Sequence, residues 1–221
     1  MNSFKNKLLN ILLYPAQLIE RLTDKKAALY AGILLVGAID LLLPDVAAMF
    51  KLHFNGKPVN DIYFNAVAGV LLIVVLGLID VTFVSVPLYD FFKFFKRKEE
   101  ASMASAEEKI PVAPHIATPI KIMKIYIMSH FIIIPVEIIL YFVFLKHVTE
   151  SSPAWQFNIA LVLYMLIYIW AAAIITRGIN TLFRFNPIFR KLTFIIVFAW
   201  SYLFDMVFDM QILYWLSKIF R

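Results

Sequence analysis

Acidic residues lie inside the long apolar stretches of this 221-residue chain. An Asp at the centre of a membrane-spanning helix costs roughly 2.5 to 3.5 kcal/mol on insertion scales, so such residues usually have a function. Carboxylate oxygens bind hard cations such as Mg²⁺, Ca²⁺ and Mn²⁺, and carboxyl groups combined with a histidine also suit proton relay. The ionisable side chains concerned are Asp40, Asp80, His130, Glu137, Asp205 and Asp209.

Four of these residues predict a divalent-cation site. With a rise of about 1.5 Å per residue, Asp40, Glu137 and Asp205 lie near the middle of their apolar stretches. Asp209 follows Asp205 by four residues, so the two share one helix face. Convergence of the three central acids on one interior is a hypothesis, which coordinates placing any two of them against lipid would reject.

Asp80 and His130 are expected at similar depths on the inner side of the membrane. In that position they would extend the site as a proton or ion path. The structural alternative for Asp80 is a hydrogen bond to a serine, threonine or tyrosine of a neighbouring helix. The spacing alone leaves both interpretations open.

The composition requires lipid as the surrounding solvent. Hydrophobic residues make up 62% of the chain and charged residues only 16%, with a mean hydropathy of +0.81, whereas soluble domains are near half apolar and a quarter charged. We therefore predict an all-α integral membrane protein with five transmembrane helices and an N-terminal interfacial amphipathic helix. The predicted spans cover residues 27–50, 62–88, 122–145, 155–176 and 192–216.

The rest of the chain is predicted to form one membrane domain. Residues 1–26 repeat apolar side chains at helical spacing, which predicts an interfacial helix bent near Pro15, or alternatively an extra helix packed on the bundle. A flexible cytoplasmic linker is predicted over 93–120, because this segment is first charged and then rich in Pro and Ala. It separates helices one and two, within 27–92, from helices three to five, within 121–221.

Two further expectations concern packing. The fourth span contains no ionisable residue, so we expect it to be peripheral and lipid-facing, and the basic, aromatic segment that follows it is typical of a connection on the membrane surface. Glycines in the first two spans are expected to permit close helix contact. They are Gly32, Gly37, Gly69 and Gly77.

Most of the 21 lysine and arginine residues fall in segments that share one side of the membrane. This predicts a cytoplasmic N-terminus and an outside C-terminus, in a bacterial plasma membrane. The net charge of +6 then indicates contact of the basic loops with anionic lipid head groups rather than with nucleic acid. Five helices are few for alternating access, so a homo-oligomer or a membrane-protein partner is also expected.

Enzymatic activity is not predicted. The chain has no cysteine, and it contains no H-E-x-x-H, Walker or G-x-S-x-G motif. Beyond a divalent cation, no cofactor is expected.

The order of short motifs resembles the Yip family, the Ypt/Rab-interacting five-span membrane proteins, and its bacterial branch. Tyr14-Pro15 precedes the first span, the third span carries Ser129-His130 and then Pro135, and the fourth ends "YIWAAAIITRGIN". The resemblance implies a five-helix membrane protein, whose eukaryotic relatives are linked to vesicle trafficking and membrane shaping. The chain lacks their long acidic N-terminal region, which places partner binding of that kind in doubt.

Two functions from different classes follow. The intramembrane acids predict a cation- or proton-binding transporter or channel-like protein. The alternative is a non-transporting membrane organiser or trafficking-type adaptor, as the resemblance implies, or a lipid-handling protein. In the second case the acids only hold the bundle together.

Overall fold

A computed structural model describes residues 10, 13–42, 59–104, 117–148 and 152–208 of the chain. Within these ranges the chain is helical and contains no strand. A 3₁₀ turn, Leu145–His147, follows the fourth helix. The α-helices are α1 (Ala16–Glu20), α2 (Lys26–Leu42), α3 (Val59–Ala104), α4 (Pro119–Val143), α5 (Ala154–Phe183) and α6 (Pro187–Val207).

Four helical segments are long and apolar enough to cross a membrane. They are Gly69–Ser102, Pro119–His147, Ala154–Phe183 and Pro187–Val207, with mean hydropathies of 2.6, 2.2, 2.4 and 1.4. Large apolar side chains on their outer faces are exposed, as expected for a surface solvated by lipid rather than water. This architecture is that of a multi-pass membrane protein.

The span predicted over residues 27–50, which would be the fifth in number, and the N-terminal interfacial helix stay predictions. Helix α2, which covers the described part of the first predicted span, has 17 residues. Its length of about 26 Å is shorter than the roughly 30 Å hydrocarbon core. Residues 43–50 of the predicted span lie outside the described residues. In the N-terminal segment α1 packs on α5, and Ile19 is buried in the main core, so this turn touches the bundle.

Helices α2 and α3 pack closely as an antiparallel pair. A Cβ atom at Gly37 would lie 2.7 Å from the Gly77 nitrogen and overlap Ile73 O, and one at Gly77 would meet Gly37 N and Ile33 O in the same way. Only glycine allows the two backbones to come this near. At Gly69, by contrast, a Cβ would meet nothing within 4 Å, so the expected contact there is wrong.

The predicted linker begins too early. Helix α3 runs to Ala104, with 46 residues and a length of about 69 Å, so residues 93–104 are helix rather than flexible chain. Lys96 and Glu99 are buried there, because the inner face of this extension packs on the turn between α5 and α6. A run of charged residues in the sequence does not reveal which of them is enclosed.

The peripheral, lipid-facing position predicted for the fourth span describes only part of α5. Its first half is exposed, but its second half contributes fully buried side chains such as Ile175, Ile179 and Leu182. In the turn after it Phe183 and Phe185 stack at 5.4 Å inside the core, whereas Arg184 and Ile188 are exposed, so the expected membrane-surface connection stays a prediction. Arg184, in the left-handed region at φ 53°, ends α5, and the side chain of Asn186 caps α6 by accepting from Phe189 N.

Candidate functional site

Asp80 of α3 and Tyr126 of α4 form a buried pair of polar side chains inside the bundle. The Tyr126 hydroxyl donates to Asp80 Oδ1 at 2.7 Å, and both residues are buried. A buried carboxyl group in an apolar bundle is stable only when hydrogen-bonded or otherwise compensated. The structural alternative for Asp80, a bond to a tyrosine of a neighbouring helix, is therefore what the structure contains.

His130 lies against the same pair. Its Nε2 atom is 3.5 Å from Asp80 Oδ2, its Nδ1 atom is 3.1 Å from Tyr126 O, and its ring meets the Tyr126 ring edge-on at 4.5 Å between centroids. Each oxygen of the Asp80 carboxyl group thus faces a different proton-carrying side chain. We call Asp80, Tyr126 and His130 the inner triad.

Close helix packing fixes the turn of α4 that carries the triad. Ile127 lies in the space left by Gly32 of α2, where an added Cβ would come within 2.8 Å of it. Ile125 fills the corresponding space at Gly178 of α5, at 2.6 Å. The turn is therefore held between two neighbouring helices while Tyr126 reaches a third.

A second carboxyl group, Asp205 of α6, accepts a hydrogen bond from the hydroxyl of Tyr168 of α5. The Tyr168 ring also packs edge-on against Tyr202 at 6.1 Å. Asp205 is half-buried. From the start of α6 it lies about 27 Å along the helix, deeper than the inner triad.

The remaining predicted acids, Asp40, Glu137 and Asp209, differ in their burial and in whether the structure describes them. Asp40 is buried in α2 with 7% of its surface exposed, and Glu137 is half-buried in α4. Glu137 lies within electrostatic range of both His130 and Asp205. Asp209 lies outside the described residues. None of the three central acids is exposed on the outer face.

A compact metal centre does not form among the residues in view. Across 13–42, 59–104, 117–148 and 152–208, no three His, Asp or Glu side chains come together in a group able to hold a metal ion. The structure brings Asp80 to His130, but Asp40, Glu137 and Asp205 form no metal-holding group among the described residues. With Asp209 outside the described residues, the divalent-cation site stays a prediction.

The two tyrosines are functional candidates that the sequence reasoning missed. Tyr126 precedes His130 by four residues, so a helical spacing already places them on one face. Because the chain has 10 tyrosines, spacing alone could not select Tyr126 or Tyr168. Only the contacts with Asp80 and Asp205 distinguish them.

A second buried polar cluster lies where α3 meets the turn between α5 and α6. Lys96 Nζ is 2.9 Å from Glu99 Oε2 and 3.4 Å from Arg184 O, and Glu99 Oε1 accepts from Asn186 N at 3.1 Å. The side chains of Lys96 and Glu99 are 4% and 2% exposed. The pair joins the α3 extension to this turn, and we call it the buried clamp.

The clamp belongs to the more basic end of the molecule. The ends of α3 and α5 and the starts of α2, α4 and α6 meet there, and Lys124 donates to Thr23 O and Lys25 O at 2.6 and 2.8 Å. We call this the basic end. Among the described residues the opposite end carries one lysine, Lys146.

Comparisons of the chain with known protein families, curated proteins and solved structures find no match. The class defined by the fold is therefore the coarse one, a multi-pass helical membrane protein with carboxyl groups inside its bundle. The Yip resemblance stays a prediction.

Proposed function

We propose that this protein moves protons or a proton-coupled solute across a membrane and that the inner triad is its proton-binding site. The observation that supports the proposal is the contact of the buried Asp80 carboxyl with both the Tyr126 hydroxyl and His130. An ionisable group within a membrane span, paired with a histidine, is typical of a proton relay.

The donor set favours a proton over a divalent cation at this position. Mg²⁺ and Ca²⁺ take six or more oxygen ligands, commonly from several carboxylates. The triad offers one carboxyl group, one phenol and one imidazole, and a proton needs only a single acceptor among them. Asp205 with Tyr168 supplies a second acceptor deeper in the bundle, and Glu137 lies within electrostatic range of both sites.

The test is proton flux in liposomes containing the purified full chain. With a pH-sensitive dye inside and a potassium-driven potential, Asp80→Asn should reduce the flux to that of protein-free liposomes. Asp90→Asn is the matched control, because Asp90 lies on the same helix but is exposed. Unchanged flux in Asp80→Asn, or equal losses in both variants, would reject the proposal.

A second candidate is a non-transporting membrane organiser, as the Yip resemblance implies. The basic end favours it, because Lys93, Arg97 and Lys98 line one exposed or half-buried helix extension beside the exposed ring of Phe94. Such a surface suits anionic head groups. Wild-type liposomes without proton flux, together with clustering of anionic vesicles by the protein, would favour this candidate.

A further inference from the structure

Buried polar atoms without a protein partner lie between the inner triad and the basic end. They are Ser85 Oγ in α3, and Thr176 Oγ1 and Asn180 Oδ1 in α5. Ser85 is 1% exposed and Thr176 is 8% exposed. Unsatisfied buried hydroxyl groups of this kind are rare, and in native proteins ordered water usually satisfies them.

The register of the helices places these atoms on the basic-end side of the triad or level with it. Helices α3 and α5 run in the same direction, and the rings of Tyr89 and Phe183 lie 6.2 Å apart, so Ser85 lies level with about residue 179 and Asp80 level with about residue 174. Ser85 is five residues beyond Asp80, about 7.5 Å nearer the basic end. Thr176 and Asn180 then lie about 3 Å and about 9 Å nearer the basic end than Asp80, and they share a face of α5.

We call Ser85, Thr176 and Asn180 the polar row. This row leads to the boundary of the bundle. The Asn180 side chain donates through Nδ2 to Arg190 O at 3.3 Å, in the exposed first turn of α6, while its Oδ1 atom is buried. Asn180 therefore joins the outside at the basic end to the buried hydroxyl groups. On the far side of the triad, the buried Oγ of Ser201 lies one helical turn before Asp205 on α6.

From these positions we infer that Asn180, Thr176 and Ser85 bind a file of ordered water molecules that connects the basic end to Asp80. Each water molecule in such a file accepts a proton from one neighbour and donates a different proton to the next. A proton is thereby delivered to Asp80 although no single proton travels the whole distance. Asn180 is the entrance, and the two hydroxyl groups orient the water. Delivery of protons rests on the proposed function, whereas the presence of water does not.

The absence of native cysteine permits a direct test. Ser85→Cys and Thr176→Cys each place one thiol on the row, and its S–H stretching band is followed by infrared spectroscopy after transfer of proteoliposomes into D₂O. Val84→Cys and Ile175→Cys are the controls. These two residues adjoin Ser85 and Thr176 in the chain and are also buried, at 1% and 2% exposure, but they are apolar. The row thiols should exchange at least about tenfold faster than the controls, which need local opening.

The entrance is tested in the Ser85→Cys background. Asn180→Leu should slow exchange of the thiol, whereas Asn158→Leu, the same change at the other, exposed end of α5, should not. Equal exchange in row and control thiols, slow or fast, would overturn the inference. So would an Asn180→Leu variant that exchanges as fast as its parent.

The two proposals fail separately. Unchanged proton flux in Asp80→Asn with fast thiol exchange would reject the proposed function and leave the water file intact. Lost flux with slow exchange at both row thiols would reject the file and leave the function.

Discussion

At the scale of single residues, the inner triad combines structure and chemistry in one contact. The Tyr126 hydroxyl satisfies one oxygen of a carboxyl group that would otherwise be costly to bury. His130 lies beside the other oxygen at 3.5 Å, so a proton has two neighbouring acceptors. The same bond that stabilises the bundle therefore defines the candidate proton site.

Replacing Tyr126 by Phe removes the donor to Asp80 and keeps the ring. Interhelical hydrogen bonds in membrane proteins contribute about 0.6 kcal/mol on average and up to about 1.7 kcal/mol, and we expect a loss near the upper value because both partners are buried. Thermal unfolding in detergent measures it. Tyr141→Phe, on the exposed face of the same helix, is the control, and equal melting of both variants would contradict the prediction.

At the scale of helices, two contacts between backbones or polar groups hold neighbouring elements together in addition to the apolar core. The α2–α3 pair depends on Gly37 and Gly77, where the two backbones touch. The α3 extension depends on the buried clamp, which reaches across to Arg184 O and Asn186 N. The first contact joins consecutive helices, whereas the second joins segments 87 and 88 residues apart in the chain.

Gly37→Ala should separate α2 from α3. The added Cβ would overlap the backbone of Ile73, which cannot move aside as a flexible side chain would, and overpacking of this kind costs about 1 to 3 kcal/mol or more. Gly69→Ala is the control, since its Cβ meets nothing and alanine favours helix by up to about 1 kcal/mol. A Gly37→Ala protein that melts at or above the Gly69→Ala temperature would contradict the glycine contact.

Lys96→Met should destabilise the protein by about 3 to 5 kcal/mol, because it leaves the buried Glu99 carboxylate without its cation. Lys98→Met removes an equal charge two residues away, from an exposed side chain, and should change stability by less than about 0.5 kcal/mol. Denaturation of both variants in detergent compares them. If the two losses are equal, the clamp does not join these elements.

At the scale of the whole molecule, the two ends of the helix bundle differ in their content of basic residues. Lysine and arginine residues gather where five helix ends meet, and the far end carries Lys146 among the described residues. By the positive-inside rule we predict that the basic end faces the cytoplasm. The proposed water file would then open to the cytoplasm.

This orientation is testable by thiol labelling in intact cells, because the wild-type chain offers no competing cysteine. An impermeant maleimide should label Lys146→Cys from outside, while Arg97→Cys should react only after the cells are opened. Both positions are exposed, so access to the side chain does not differ. Labelling of Arg97→Cys in intact cells would reverse the orientation.

The sequence by itself determined the class of the protein and predicted which of its polar residues lie at similar depths. Apolar stretches of span length predict helices in lipid because an unpaired backbone is too costly there. A constant rise per residue made it possible to expect Asp80 and His130 at one depth before any contact was known. The sequence did not reveal that α3 continues to Ala104, because a helix that extends into water and a charged flexible linker have similar amino-acid compositions.

Only the tertiary structure decided which polar groups meet. Rotation of each helix about its axis depends on packing against its neighbours, and apolar helices present similar faces in many rotations. The choice of Tyr126 for Asp80, of Tyr168 for Asp205 and of Lys96 for burial follows from that rotation. The depth of a side chain is a property of its own helix, whereas its partner is a property of the bundle.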